Sequence, residues 1–154
     1  MDPKDPFHQQ MMALAIDVAK EALLTNDVPI GAVLSKDGKL IASACNRKVA
    51  DNDLTAHAEV LVIKKAAALL GDWRLEGTQL YVTLEPCAMC AGTILQARIQ
   101  QVIFGLKDEK TGACGSFLSI LNQEKLKRPE LLYYHTEESA ELLKSFFKTM
   151  RAKG

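Results

Sequence analysis

Two cysteines three positions apart, Cys87 and Cys90, stand in the segment LEPCAMC. A Cys-x-x-Cys pair serves as a redox couple, as half of a structural zinc site, or as part of a catalytic metal centre. These seven residues do not distinguish the three roles, because each role needs partners from elsewhere in the chain. The rest of the sequence therefore has to supply the missing metal ligands.

A third candidate ligand is His57, which lies in the segment TAHAE, 30 residues before Cys87. Both segments are expected to begin helices, and a helix N-terminus favours the thiolate form that a metal requires. One imidazole and two thiolates suit zinc. Cys45 and Cys114 lack the spacing of a ligand pair, so we expect a catalytic site with an open position rather than a closed structural site.

Glu59 follows His57 by two residues and so lies on a different face of the same first helical turn. Zinc with an open position activates water at neutral pH, and a neighbouring carboxylate can carry the proton to a substrate. We therefore predict one Zn²⁺ per subunit, held by His57, Cys87 and Cys90, with Glu59 as the catalytic acid and base. The combined pattern H-x-E…P-C-x-x-C is the signature of zinc deaminases.

Hydrophobic spacing indicates the elements that position these residues. Helical spacing covers 7–24, 56–71, 87–99 and 136–153, with a short helix possible at 116–122, and β-type runs cover 28–34, 39–44, 78–84, 101–106 and 131–135. Strands and helices alternate after an opening hairpin, which predicts an α/β fold of three layers with a five-stranded mixed sheet. Both metal segments open helices, and in such sheets sites lie at the carboxyl ends of strands.

The composition is that of one globular domain: 154 residues, 48% hydrophobic and 25% charged, so residues 1–154 are expected to form a single domain. The net charge is zero, so any nucleic-acid surface has to be a local patch. No apolar run approaches the roughly 20 residues of a membrane span, and the start carries no secretory signal. We expect a cytoplasmic protein, with His8 and His135 on its surface.

The sequence resembles the cytidine deaminase-like superfamily, and within it the bacterial enzymes that deaminate adenosine in tRNA. The resemblance covers nearly the whole chain and includes VPIGAVL, CNR, TAHAE, LEPCAMCAGTILQARI, VIFGLKDEKTGACGS and ELLKSFFKTMR. It implies a five-stranded mixed sheet between helices and a homodimer. It also implies conversion of adenosine to inosine at the wobble position of a tRNA anticodon stem-loop, the family's bacterial substrate being an arginine tRNA.

The resemblance further implies residues that contact the substrate. Asn46 would hydrogen-bond a flipped base, in a pocket formed by Val28, Pro29, Ile30, Ala56 and Leu84. RNA contacts would come from Lys107, Asp108, Lys110, Phe147 and Arg151.

The sequence departs from the family pattern in two places. Leu54 replaces a usual proline, and the segment NQEKLKRPELLYY lacks the family's Asn-His pair, for which Lys127 and Arg128 are candidate replacements as phosphate contacts. These differences bear on recognition of the neighbouring nucleotides and leave the metal pattern intact.

Two other functions remain open from the sequence. A deaminase of free guanine, cytosine or cytidine uses the same zinc chemistry but needs no basic surface, so its activity should depend little on salt. A non-catalytic, zinc-stabilised RNA-binding or partner subunit is a different class of protein. Glu59 argues against that class, because a purely structural metal site needs no proton carrier.

Overall fold

The computed structural model describes residues 1–127 and 129–153, so Arg128 lies outside the described residues. The elements in chain order are α1 (Pro6–Glu21), a short 3-10 helix (Ala22–Thr25), β1 (Gly31–Lys36), β2 (Lys39–Cys45), α2 (Ala58–Leu70), β3 (Thr78–Val82), α3 (Ala88–Ala97), β4 (Gln101–Phe104), β5 (Glu130–Tyr133) and α4 (Glu137–Lys153). In the part of the chain described, no helix combines the length and apolar character needed to span a membrane.

The five strands form one sheet in the order β2-β1-β3-β4-β5. Strand β1 pairs antiparallel with both β2 and β3, whereas β3, β4 and β5 run parallel. Each parallel connection passes through a crossover, and α3 is the one between β3 and β4. The predicted five-stranded mixed sheet is confirmed.

Alternation along the strands divides the core between the two faces of the sheet. Val33, Tyr81 and Ile103 face α1 and pack with its buried residues, including Met11 and Met12. Their neighbours on the strands face α2 and α3 in a larger cluster, which contains Leu34, Leu80, Val102, Val62, Ala66 and Ile94. Helices therefore cover both faces, as the three-layer prediction requires.

Strand β1 begins later in the chain than the sequence pattern predicts. Residues 28–30 lie outside the sheet, where the Ile30 N–H donates to the Val28 carbonyl at 2.8 Å, and β1 starts at Gly31. Pro29 has no N–H to donate to a ladder, which excludes it from a central strand. At the other end, Asp37 and Gly38 have φ values of 52° and 73°, the positive pair that a type I′ hairpin turn requires.

Two other sequence predictions are wrong. Residues 116–122 form no helix; instead the N–H groups of Ile120 and Leu121 both donate to the carbonyl of Ala113. His8 is buried rather than on the surface, because the first turn of α1 packs against the sheet and its Nδ1 lies 2.8 Å from the Tyr81 hydroxyl.

Gly31→Ala is expected to destabilise the fold by about 2 kcal/mol or more, because an added Cβ overlaps the Ala15 carbonyl and lies 2.7 Å from the Ala19 nitrogen. For a chain of this size, the melting temperature should fall by roughly 4–8 °C. Gly92→Ala is the matched control: a Cβ there meets nothing within 4 Å, and alanine favours its helix, so stability should stay equal or rise. Equal melting temperatures for the two variants would contradict this packing account.

Candidate active site

The N-termini of α2 and α3 bring the three predicted metal ligands together. His57 and Cys87 are the residues that precede these helices, and Cys90 lies in the first turn of α3. His57 Nδ1 lies 3.5 Å from Cys90 Sγ and 3.7 Å from Cys87 Sγ. Neither His57 nor Cys87 caps its own helix with its side chain, so both side chains are free to face one another.

These distances match the geometry of zinc. A tetrahedral zinc ion with bonds of about 2.3 Å to sulfur and about 2.05 Å to nitrogen places those atoms about 3.6 Å apart. All three ligand atoms lie within 4.8 Å of one another. Across residues 1–127 and 129–153, no other three His, Cys, Asp or Glu side chains come together in this way. The donor set therefore fits a metal ion without rearrangement.

The side chains of the three predicted ligands lie close enough to shift one another's pKa values. The hydrogen bond with Cys90, assisted by His57, lowers the pKa of the Cys87 thiol to about 4. The same hydrogen bond, together with burial, raises the pKa of Cys90 far above its usual range, and contact with Cys87 raises the pKa of His57. Metal binding at this cluster therefore has to release a proton, and affinity should fall as the pH falls.

Glu59 lies beside the cluster, on the first turn of α2, and only 4% of its surface is exposed. Burial raises the pKa of its carboxyl to about 6. A group with a pKa near 6 can both take up and release a proton near neutral pH, which is what general acid and base catalysis needs. The catalytic role of Glu59 stays a prediction, and its burial and raised pKa agree with that role.

A cavity of about 510 Å³ opens above Glu59, within the size range of small-molecule sites. Predicted site residues that line it are Val28, Ile30, Asn46, His57, Glu59, Leu84, Cys87, Asp108 and Phe147. The structure thus gathers most of the predicted reactive and pocket residues around one space, although they come from six separate segments of the chain.

Asn46 is oriented by a backbone hydrogen bond. Its Oδ1 accepts the N–H of Ala58 at 2.8 Å, which satisfies a free donor at the start of α2. With the oxygen engaged, the Nδ2 group has no partner among the described residues and is the group left for the cavity that Asn46 lines. Asn46 therefore offers a hydrogen-bond donor to whatever enters.

Other predicted contact residues do not line the cavity. Pro29 and Ala56 are buried but, unlike Val28 and Ile30, are not among the residues that line the cavity. The ammonium of Lys107 lies 4.9 Å from the centre of the Tyr133 ring. Lys110 and Arg151 are exposed on the surface outside the cavity.

The sequence analysis missed several residues that line the cavity: Asn26, Asp27, Lys48, Val49, Glu85, Thr111, Phe146 and Met150. The position of Met150, three residues after Phe147 and four after Phe146, was a usable signal, because residues at these spacings share a helix face. Phe146 is buried, whereas Phe147 is 45% exposed at the cavity. No comparable local signal marks Asp27 or Glu85.

The fold and the site together define a deaminase. Residues 7–151 match the model of the MafB19-like deaminase family, and the chain belongs to this family.

Within this class, the chain is similar to proteins named tRNA-specific adenosine deaminase. One from Bacillus subtilis (strain 168) is 43% identical over 144 residues, which cover 92% of this chain and 89% of the relative. A structure from a study of A-to-I editing by tRNA:A34 deaminases at the wobble position of transfer RNA has a TM-score of 0.82 at 44% identity, covering 88% of this chain and 99% of its own. The structure of a guanine deaminase from Bacillus subtilis has a TM-score of 0.63 at 31% identity, covering 94% of both chains.

Proposed function

We propose that this chain deaminates adenosine to inosine at the wobble position of a tRNA anticodon, with an arginine tRNA as the expected substrate and one zinc ion per subunit. The observation that carries the proposal is the cluster of His57, Cys87 and Cys90 beside buried Glu59, on the wall of a cavity. Similarity to tRNA-specific adenosine deaminases at 43–44% identity supports the substrate.

His57, Cys87 and Cys90 would hold the metal. Bound zinc would supply water activated for attack at neutral pH. Glu59 would take one proton from the attacking water and give it to the adenine ring nitrogen. It would then take the second proton from the new hydroxyl on the ring carbon and give it to the departing amine. The balance is one C–O bond formed, one C–N bond broken, water consumed and ammonia released.

The walls of the cavity suit a base removed from its stack. A nucleotide in a loop is already partly unstacked, so extruding it costs less than extruding one from a duplex. The Asn46 amide can donate to an acceptor on the base, and exposed Phe147 offers an aromatic face to a neighbouring nucleotide. These placements support recognition of an anticodon loop by the residues nearest the cavity. The resemblance also implies a cytoplasmic location and a homodimer. Measurement of the molar mass in solution can test the homodimer.

A guanine deaminase at 31% identity favours one rival function, the deamination of a free base. The two functions differ in what the protein must bind, because a free base carries no phosphates. The decisive experiment incubates the zinc-loaded protein with an arginine anticodon stem-loop containing the wobble adenosine, with free guanine, and with cytidine. We expect inosine from the stem-loop and no xanthine or uridine. Product from a free base or nucleoside alone would overturn the proposal.

Salt is expected to weaken the reaction with the stem-loop. Each phosphate contact releases counterions, so log(kcat/KM) should fall linearly with log salt concentration, with a slope of about −0.7 per contact for a single-stranded loop. The measurement is kcat/KM from roughly 50 to 300 mM salt. A flat profile would show that no phosphates are contacted and would favour a small substrate.

A further inference from the structure

We propose that two buried carboxylates, Asp27 and Glu85, are positioning residues that shape two rim segments of the substrate pocket before RNA binds. The two rim segments are residues 47–50 and residues 108–116. This inference rests on the proposed function, because it concerns how the same pocket receives its nucleotide. Neither carboxylate is assigned a part in the chemistry.

Asp27 fixes the first rim segment. Its side chain is 1% exposed, and its two oxygens accept the N–H of Val49 at 2.6 Å and the N–H of Ala50 at 3.1 Å. The Thr25 hydroxyl donates to the same carboxylate at 2.6 Å. Lys48 and Val49, which line the cavity, are therefore part of a loop whose backbone is bound to one buried side chain.

The charge on Asp27 is balanced by these donors. Burial raises the pKa of the Asp27 carboxyl, but the hydrogen bonds from Thr25, Val49 and Ala50 outweigh burial and hold the pKa below its ordinary value. An ionised carboxylate accepts hydrogen bonds about twice as strong as those between neutral groups. The Asp27 carboxylate therefore holds the backbone of residues 49 and 50 more strongly than a neutral acceptor would.

Glu85 fixes the second rim segment in the same way. It is 3% exposed, and its oxygens accept the N–H of Asp108 at 3.1 Å, of Cys114 at 2.9 Å and of Ser116 at 3.2 Å. The Ser116 hydroxyl donates to it as well. The absence of a side chain at Gly112 leaves room for the Glu85 carboxylate, because a Cβ at that position would overlap it.

This second rim segment carries side chains that line the cavity. Asp108 and Thr111 line the cavity, and Glu85 itself lies between Leu84, another lining residue, and the segment that holds Cys87. The N–H of Ala113 also donates to the Pro86 carbonyl at 2.8 Å. The loop is therefore held at a set distance from the metal-binding residues.

Neither carboxylate forms an ion pair with Lys, Arg or His within the described residues. Both are satisfied mainly by backbone N–H groups, and all of those groups belong to loops at the cavity. Burying a carboxylate is costly unless donors surround it. Each of the two carboxylates binds the backbone of one rim segment, which indicates that they set the shape of the pocket rim.

The test compares Asp27→Asn and Glu85→Gln, each of which serves as the control for the other. Both replacements keep the size of the side chain but turn one acceptor oxygen into a donor. We expect KM for the anticodon stem-loop to rise by about tenfold or more, the equivalent of one lost charged hydrogen bond, with kcat changed less than about threefold. Zinc content should equal that of the unmodified chain.

Hydrogen exchange separates positioning from general stabilisation. In Asp27→Asn, exchange should quicken by about tenfold or more at residues 49 and 50 and stay unchanged at 108, 114 and 116; in Glu85→Gln the pattern should reverse. An unchanged KM would overturn the inference, and so would faster exchange throughout the chain together with a lower melting temperature.

Milder variants keep the test available if either replacement prevents folding. Thr25→Val and Ser116→Ala each remove one hydroxyl donor and leave the carboxylate in place, and we expect KM to rise by about threefold. Failure of the proposed function appears separately, as an unmodified chain that makes no inosine from the stem-loop. Failure of this inference appears as a normal KM in active variants.

Discussion

Replacing Glu59 with glutamine is expected to lower kcat by about 10²–10⁴-fold while the metal stays bound. The glutamine amide has nearly the same shape as the carboxyl and fits the same buried position, but it cannot take up and deliver a proton. The predicted metal ligands are untouched, because Glu59 is not one of the three residues that form the cluster. Inosine formation from the stem-loop gives kcat, and elemental analysis gives zinc per chain.

Glu141→Gln is the matched control for this variant. Glu141 lies on the exposed side of α4, so the same chemical change there should leave both kcat and zinc content as they were. Full activity in Glu59→Gln would remove Glu59 from the reaction. Loss of zinc in that variant would instead make it a supporting residue of the metal site.

Replacing Cys90 with alanine is expected to remove both the metal and the activity. Cys90 is fully buried, and its sulfur lies 3.5 Å from His57 Nδ1 at the centre of the cluster. Two ligands in place of three leave a site that cannot compete with a chelator, and binding free energy that stabilises the fold is lost with the metal. After dialysis against a chelator, zinc should fall from about one per chain to nearly none, with no detectable inosine and a lower melting temperature.

Cys45→Ala tests whether any buried thiol has this effect. Cys45 is buried at the end of β2 and lies outside the cluster, so its loss should leave zinc and kcat unchanged. A Cys90→Ala protein that keeps about one zinc per chain would show that other residues complete the ligand set.

The sequence predicted the parts of this structure that depend on local patterns. The helices and strands follow from hydrophobic spacing, and the sheet follows from their alternation. The grouping of His57, Cys87 and Cys90 was predictable because each motif is only a few residues long and the pair of motifs is specific. Folding then had only to place two helix N-termini side by side.

The parts that escaped prediction depend on contacts between distant residues. Asp27 binds amides 22 and 23 residues away, and Glu85 binds amides 23, 29 and 31 residues away. No local pattern marks an acid as an acceptor for such a loop. The absence of a helix over 116–122 has the same origin, because the N–H groups of Ile120 and Leu121 donate to the carbonyl of Ala113 and not to the carbonyls four residues before them. His8 was misplaced for the same reason, because its partner Tyr81 lies 73 residues away.

The aromatic wall of the cavity has a practical consequence for protein engineering. Phe146, Phe147 and Met150 all come from α4, whereas the metal ligands and Glu59 belong to the starts of α2 and α3. This wall and the residues proposed for the reaction are therefore encoded by separate stretches of the gene. A library that varies only codons 146, 147 and 150 changes one wall of the cavity, while every member keeps the proposed reactive residues.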